Sequence, residues 1–318
     1  MRAMVYDRYG PPAVLRLEEV PVPVPGAGRV LVKVAATSIN LSDWECLHGT
    51  PLYARVGGLR APARRILGSD IAGWVEAVGP DVTQFCPGDP VYGDNLQAKG
   101  GFAEYAIVPE PALAAKPAAL SFAQASAIPQ AGAIAWQGTA GAATGRRVLI
   151  NGAGGGSGSF AIPLAKRLGA HVTGVDNAGK LDFMRSLGAD QVLDYRHTDF
   201  TRTGPYDLIL DLVAHRSVFA YRRALAPGGR YRCVGGSVST LLRVLTAGTV
   251  AGRLTGRRLG VLAVKEGPRH FGPVAELCAG GELDIHIDRT FPLERTPEAL
   301  ARVGEGHAVG KVVVQASF

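Results

Sequence analysis

Between Val148 and Gly158 an apolar run, Val148-Leu149-Ile150, passes through Asn151 into Gly152-Ala153-Gly154-Gly155-Gly156-Ser157-Gly158, and this junction constrains the fold more than any other feature. The residues that follow carry Ala161, Leu164, Ala165 and Leu168 on one face at helical spacing. A strand that turns through glycines into a helix needs small residues at three places. Ala153 permits the tight turn, Gly155 lets the backbone approach a ligand, and Gly158 lets the helix pack closely on the strand. The N–H groups of Gly156 and Ser157 lie at the positive end of the helix dipole, where an anion is favoured. Pro163 removes an N–H early in this helix and is expected to bend it.

Apolar runs at 147–150, 171–175, 191–193, 208–212, 231–234 and 259–264 are separated by helical patterns. Such an alternation predicts a doubly wound parallel sheet of six strands, covered on both faces. In that setting the glycine turn reads as a dinucleotide-binding fingerprint, with the diphosphate on the helix N-terminus. The second run ends in Gly174-Val175-Asp176. A carboxylate there accepts hydrogen bonds from ribose hydroxyls and repels a 2′-phosphate. It would serve equally as a helix N-cap, because Asp176-Asn177 precedes the helical pattern near Lys180. The nearest positive charge is Lys180, and the balance favours NADH over NADPH.

Ahead of Ser121 the chain reads as short strands at 2–6, 15–20, 30–36, 71–78, 90–93 and 103–108, broken by Pro and Gly. Pro21-Val22-Pro23-Val24-Pro25 lacks the N–H groups of a central strand and reads as an extended connection. Ser121-Phe122-Ala123-Gln124 has the form of a capped helix start. The expected division is a β-rich domain over 1–118 and 283–318 and a parallel α/β domain over 119–282, with the tail strand near 311–314 rejoining the first sheet.

A chain of 318 residues, 47% hydrophobic and 19% charged, has enough apolar material for two domains and too little charge for disorder. The excess of seven basic residues permits anionic ligands. Nucleic acid is disfavoured, since the basic residues are scattered in doublets such as Arg64-Arg65 and Arg257-Arg258. Cys46, Cys86, Cys233 and Cys278 have no CxxC spacing and no secretory signal precedes them, so reduced thiols and a cytoplasmic location are expected. No apolar run reaches about 18 residues, so no membrane partner is expected.

Further segments then become recognisable: Gly68-Ser69-Asp70-Ile71-Ala72-Gly73-Trp74-Val75-Glu76-Ala77-Val78-Gly79, Pro87-Gly88-Asp89-Pro90-Val91, Gly101-Phe102-Ala103-Glu104-Tyr105, Leu187-Gly188-Ala189-Asp190 and Gly310-Lys311-Val312-Val313. In order, these resemble the segments of medium-chain dehydrogenase/reductases. The resemblance implies a GroES-like catalytic domain built from both termini, a Rossmann domain between, and a cleft where nicotinamide meets a small-molecule substrate. It implies a homodimer through the Rossmann sheet edge, with residues 259–264, Leu259 and Val264 at its ends, as the edge strand. Tyr195 resembles the residue beside the adenosine, Val234, Gly235 and Gly236 the nicotinamide-side turn, and Lys311 a cofactor-side residue.

Zinc-dependent members have Cys and Gly-His-Glu where this chain has Asn40 and Gly68-Ser69-Asp70, and a third cysteine near Gln130-Ala131. The cysteine-rich lobe for structural zinc is missing, and no zinc is expected. Asn40-Leu41-Ser42-Asp43-Trp44, with Gly49 and Tyr53 downstream, resembles the quinone oxidoreductase branch, which implies that Asn40 and Tyr53 face a substrate carbonyl or an ordered water. Asn40 also suits a turn, Tyr53 a half-buried aromatic, Ser69 a filler, and Asp43 a partner of backbone amides. Without a Lewis acid, alcohol oxidation is disfavoured, and hydride transfer from NAD(P)H to a quinone or α,β-unsaturated carbonyl fits. An enoyl or keto reductase of a specialised biosynthetic pathway and a non-catalytic NAD(P)H-binding protein are the alternatives.

Overall fold

In this computed structural model, which describes residues 1–56 and 58–316, β1 (Arg2–Val5) pairs antiparallel with β2 (Arg16–Glu19). The prolines at 21–25 lead, without strand, to β3 (Arg29–Ser38), in which Val30, Val32 and Val34 alternate into the core. Helix α1 (Leu41–His48) follows, then a 3₁₀ turn at Leu52–Arg55. The sheet grows through β4 (Asp70–Val78), β5 (Pro90–Asp94), β6 (Tyr105–Pro109) and β7 (Leu113–Ala115). Here β4 and β6 pair with β3, β5 with β4, and β7 with β5. The three-residue β7 is too short to announce itself by periodicity. Ser121 caps α2 (Phe122–Ser126) as expected: its Oγ accepts from Gln124 N, and Gln124 Oε1 accepts from Ser121 N. Helix α3 (Pro129–Thr139) carries the chain onward.

The next unit is a six-stranded sheet. Its members are β8 (Arg147–Asn151), α4 (Gly156–Arg167), β9 (His171–Asp176), α5 (Leu181–Ser186), β10 (Gln191–Asp194), β11 (Tyr206–Asp211), α6 (Val218–Ala224) and β12 (Leu225–Cys233). After them come α7 (Val238–Arg243), a π-turn (Val244–Gly248), α8 (Thr249–Leu254) and β13 (Arg258–Val261). All strands are parallel, in the order β10-β9-β8-β11-β12-β13. The order reverses between β8 and β11, which leaves a crevice at their carboxyl ends. Val148, Leu149 and Ile150 have no exposed surface, as a strand covered on both faces requires. Helix α4 runs through Pro163 to Arg167 without a break in its span. Strand β13 stops before the expected Val264, and Lys265 N turns to Gln137 Oε1.

Helix α9 (Pro268–Ala279), β14 (Ile287–Pro292), α10 (Thr296–Gly304) and β15 (Lys311–Gln315) complete the first sheet. Strand β15 lies parallel to β14 and antiparallel to β3, so the tail returns as expected. Contacts divide the chain into Met1–Ala133 with Glu266–Phe318, and Ile134–Lys265. The expected boundaries, near 118 and 283, fall inside the first of these units. Helix α2 packs on β3 and β4, and Phe271 of α9 meets Tyr92 of β5 edge-on at 5.1 Å.

Candidate active site

In the second unit the turn after β8 begins at Gly152, whose φ of +83° is the left-handed conformation glycine favours. A Cβ on Gly158 would lie 2.3 Å from the Ala153 carbonyl oxygen, so helix and strand meet only because that residue is glycine. At Gly155, the N-cap of α4, a Cβ would meet nothing nearer than Gly152 O at 3.5 Å. Space above Gly155 is therefore open, and the first-turn N–H groups of Gly156 and Ser157 lie beside it. These residues fit a diphosphate.

Asp176 ends β9 with its side chain 10% exposed, and its Oδ2 accepts from Gly154 N at 3.0 Å. Its Oδ1 accepts from Asn177 N at 2.9 Å, with Lys180 Nζ at 3.6 Å. The helix cap is Asn177, whose Oδ1 accepts from Gly179 N. Of the two roles open to Asp176 in the sequence, the structure thus gives the cap to its neighbour and sets the carboxylate on the glycine turn. The Lys180 stem packs over Gly154, where a Cβ would meet its Cδ at 2.7 Å. Tyr195 is half-exposed just past β10, and its N–H donates to Asp176 O.

Val234, Gly235 and Gly236 follow β12, the glycines at φ +73° and +108°. Sequence reasoning missed the pair beneath this turn. Asp211, at the end of β11, accepts from Asn151 Nδ2 at 2.8 Å, from the N–H groups of Val213 and Ala214, and from Tyr231 Oη at 2.9 Å. It ties the ends of β8, β11 and β12 together at the topological switch. An acid closing the apolar run Leu208-Ile209-Leu210 was the available signal.

In the first unit Asn40 caps α1 and is 6% exposed. Its Nδ2 donates to Asp70 Oδ2 at 2.8 Å and, at 3.3 Å, to Ser69 Oγ, while its Oδ1 accepts from Lys311 Nζ at 2.7 Å. Both ends of the amide are engaged, and the long bond to Ser69 is the one most readily exchanged. Lys311 Nζ also reaches Ile39 O and Asp70 Oδ2, so none of its N–H groups is directed to a ligand in this arrangement. Asp70 further accepts from Ser38 Oγ and Gln130 N. Asn40, Ser69, Asp70 and Gln130, which the resemblance aligns with metal-binding positions, are therefore brought together. Asp43 accepts from Asn40 N, Gly68 N and Lys99 Nζ, as a partner of backbone amides should.

Burial pushes the Asp70 carboxyl up and the Lys311 ammonium down, each opposed by the other's charge. Asp94 is pushed well above the usual carboxylate range by burial and then by the charge on Asp70, and its Oδ1 is enclosed without a partner. Tyr53 is 36% exposed and its Oη lies 3.4 Å from both oxygens of Glu45. Burial raises Glu45 to about 7, against the opposing effects of Tyr53 and Lys99. Glu45 is a second residue the sequence did not reveal. Among the described residues no group of three or more His, Cys, Asp or Glu side chains is arranged to hold a metal ion. No helix among them is long and apolar enough to cross a membrane.

Two family models match the chain: the alcohol dehydrogenase GroES-like domain over residues 26–118 and the zinc-binding dehydrogenase over residues 187–314. The mitochondrial NAD(P)H oxidoreductase RTN4IP1 of Homo sapiens is 33% identical over 363 residues, covering 99% of this chain and 89% of the relative. The 2-methylene-furan-3-one reductase of Solanum lycopersicum is 32% identical over 334 residues, with coverage of 99% and 79%. The solved quinone oxidoreductase of Coxiella burnetii superposes with a TM-score of 0.90 at 30% identity, covering 100% of this chain and 99% of that one. The glycine turn, the doubly wound sheet and these end-to-end likenesses lead to one assignment: the chain belongs to the medium-chain dehydrogenase/reductase superfamily, in its quinone-oxidoreductase-like branch, and is an oxidoreductase.

Proposed function

We propose that this chain is a zinc-independent NAD(P)H oxidoreductase that reduces quinones or α,β-unsaturated carbonyls, with NADH the preferred cofactor. The observation that carries the reading is the Asp176 carboxylate held against Gly154 N beside an open glycine turn. A carboxylate there offers acceptors to a ribose diol and opposes a 2′-phosphate, although Lys180 offsets part of its charge. When bound, the nicotinamide supplies a hydride. Gly155, Gly156 and Ser157 would hold its diphosphate, Tyr195 would flank the adenosine, and Val234, Gly235 and Gly236 would flank the nicotinamide.

Reduction of a quinone or enone takes up one hydride and one proton. In the first unit the Asn40 amide orients the acceptor's oxygen with the hydrogen now shared with Ser69, and Lys311 and Asp70 hold that amide in place. Glu45 with Tyr53 holds the proton, because its pKa near 7 keeps it both protonated and able to release. The residues do not fit zinc: the Lys311 ammonium stands 2.7 Å from Asn40 Oδ1 and would repel a divalent ion at the aligned positions. The branch's named relatives, an NAD(P)H oxidoreductase and an enone reductase among them, support the acceptor class. A homodimer through the edge strand β13 and a cytoplasmic setting, with all four cysteines unpaired, complete the reading.

The test is oxidation of NADH and NADPH, in parallel, across quinones, enones, aldehydes and alcohols, with and without chelator. Turnover confined to quinones and enones, insensitive to chelator, is expected. Cofactor binding without turnover above background would instead favour a non-catalytic protein, and activity lost with stoichiometric zinc would overturn metal independence.

A further inference from the structure

Around Asn40 the first unit buries three aspartates, Asp43, Asp70 and Asp94, against two lysines, Lys99 and Lys311. Each lysine already has its own acid: Lys99 Nζ lies 3.1 Å from Asp43 Oδ1, and Lys311 Nζ lies 3.4 Å from Asp70 Oδ2. Asp43 is further supplied by the N–H groups of Asn40 and Gly68, and Asp70 by Ser38 Oγ, Asn40 Nδ2 and Gln130 N. Asp94 is the third acid. It is 5% exposed, and no donor among the described residues reaches its Oδ1.

The sheet places Asp94 beside Asp70. In the antiparallel register Ser38 of β3 stands opposite Asp70 of β4, and Asp70 opposite Asp94 of β5, so the three side chains form one row on the same face. The hydrogen bond from Ser38 Oγ to Asp70 Oδ2, 2.9 Å, joins the first two members of that row. The charges acting on Asp94 are those of Asp70 on β4, Asp43 on α1, Lys99 after β5, exposed Glu266 ahead of α9, and Lys311 on β15. With every acid of the cluster ionised, three aspartates and two lysines leave one net negative charge, and a single proton brings the sum to zero. Two opposed carboxylates in a buried row do not both ionise cheaply. The proton belongs on Asp94, since Asp70 is surrounded by donors and Asp94 Oδ1 by none. Burial and the Asp70 charge push Asp94 in the same direction.

We propose that Asp94 is a neutral carboxylic acid at neutral pH and a positioning residue, its O–H donating across the β4–β5 pair to Asp70 and so fixing the Asn40 amide. Asp70 Oδ1 accepts from Gln130 N and has a second lone pair for this bond. Held from both neighbouring strands, the Asp70 carboxylate keeps Oδ2 on Asn40 Nδ2. The other amide hydrogen is thereby left on Ser69, where it is the one assigned above to the acceptor's oxygen. A cluster of zero net charge also does not repel the negative charge that the acceptor gains with the hydride. The consequence for turnover rests on the proposed reaction, whereas the proton on Asp94 does not.

Infrared spectra of the full chain without cofactor, at neutral pH, test the proton directly. The carbonyl stretch of a protonated carboxylic acid is expected in the wild type and in Glu45→Gln, the control for the other raised acid, and should be missing from Asp94→Asn. Steady-state kinetics with one quinone test the positioning. Asp94→Leu, which has no donor, should lower kcat at least about fivefold while the KM for NADH changes less than about twofold. Asp94→Asn keeps a donor and carries no charge, and should recover kcat to within about threefold of wild type. Thermal melts report folding, and if Asp94→Leu does not fold, the infrared band and the kcat of Asp94→Asn decide. Absence of the band overturns the proposal, as does an Asp94→Leu that turns over like wild type. Loss of kcat in Asp94→Asn would show that the proton itself is transferred, and would overturn the positioning role. A wild type that shows the band but no turnover would sink the proposed reaction while supporting the proton on Asp94, which keeps the two failures apart.

Discussion

The Lys311 ammonium lies 3.4 Å from the Asp70 carboxylate with their side chains 1% and 0% exposed, an ion pair entirely inside the first unit. Taking two charges from water is costly, and the pair persists because Asn40, Ser38, Gln130 N and Ile39 O satisfy the remaining lone pairs and hydrogens. Removing one partner strands the other. Lys311→Met is expected to destabilise the protein by about 3–5 kcal/mol in urea unfolding, and Lys311→Met with Asp70→Asn to recover most of that loss. A single variant as stable as wild type would show that Asp70 is already neutral.

Asn40→Ala is expected to lower kcat about ten- to a hundred-fold, with cofactor affinity nearly unchanged, if its amide acts on charge that develops during transfer. Steady-state kinetics with one quinone, beside NADH titration, measures both. A loss of stability with kcat intact would make Asn40 only a buried cap that joins Asp70 to Lys311.

Asp176→Ser removes the acceptor on the glycine turn and the repulsion toward a 2′-phosphate, and frees Lys180. The ratio of kcat/KM for NADH over that for NADPH should fall at least about tenfold, or roughly 1.4 kcal/mol. A wild-type preference for NADPH of that size would show that Lys180 outweighs the carboxylate.

Glu45 is expected to set the alkaline limb of kcat. Activity that needs its proton should fall as pH rises through about 7, and Glu45→Gln should show lower kcat and no such limb. The same group acts on stability. Its folded pKa, about 7, lies above the ordinary 4.5, so between those values the folded state binds the proton more tightly than the unfolded one. Its contribution is greatest below pH 4.5 and is lost as pH rises through about 7. Thermal melts of Glu45→Gln against wild type over that range should therefore converge at low pH and separate at high pH.

Gly155 and Gly158 should respond differently to the same methyl group. Gly158→Ala forces a Cβ to within 2.3 Å of Ala153 O and is expected to cost about 1–3 kcal/mol of stability. Gly155→Ala has room in the free protein and should melt normally, yet weaken NADH binding at least about tenfold by filling the space the diphosphate needs. Equal melting temperatures for the two would contradict the packing described.

The glycine turn was legible in the sequence because its requirements are backbone requirements, fixed within eleven residues. The six-strand alternation was legible for the same reason, each run being buried on both faces. Asp176 was not, since Asp176 and Asn177 are equally able to cap, and only the placement of Gly154 N beside β9 separates them. Nor was Glu45, which reads as the solvated side of a short helix until packing leaves it partly desolvated beside Tyr53. Asn151 and Asp211 meet across 60 residues of chain, a distance no local pattern spans. Contacts group α2 and α9 with the first unit, a grouping that their helical patterns, which suit either unit, do not reveal.

Because β15 completes the sheet alongside β3, the first unit is split by the whole of the second in the order of synthesis. A ribosome delivers β3, Asn40 and Asp70 before the second unit and Lys311 after it. The parallel sheet has all its strands before α9 emerges, whereas the first unit waits with an open strand edge on β3 and a buried acid lacking its counter-ion. The nascent chain is therefore most exposed to aggregation and proteolysis in the part made ahead of the second unit, and completion of the Asn40, Asp70 and Lys311 cluster is timed by the arrival of β15.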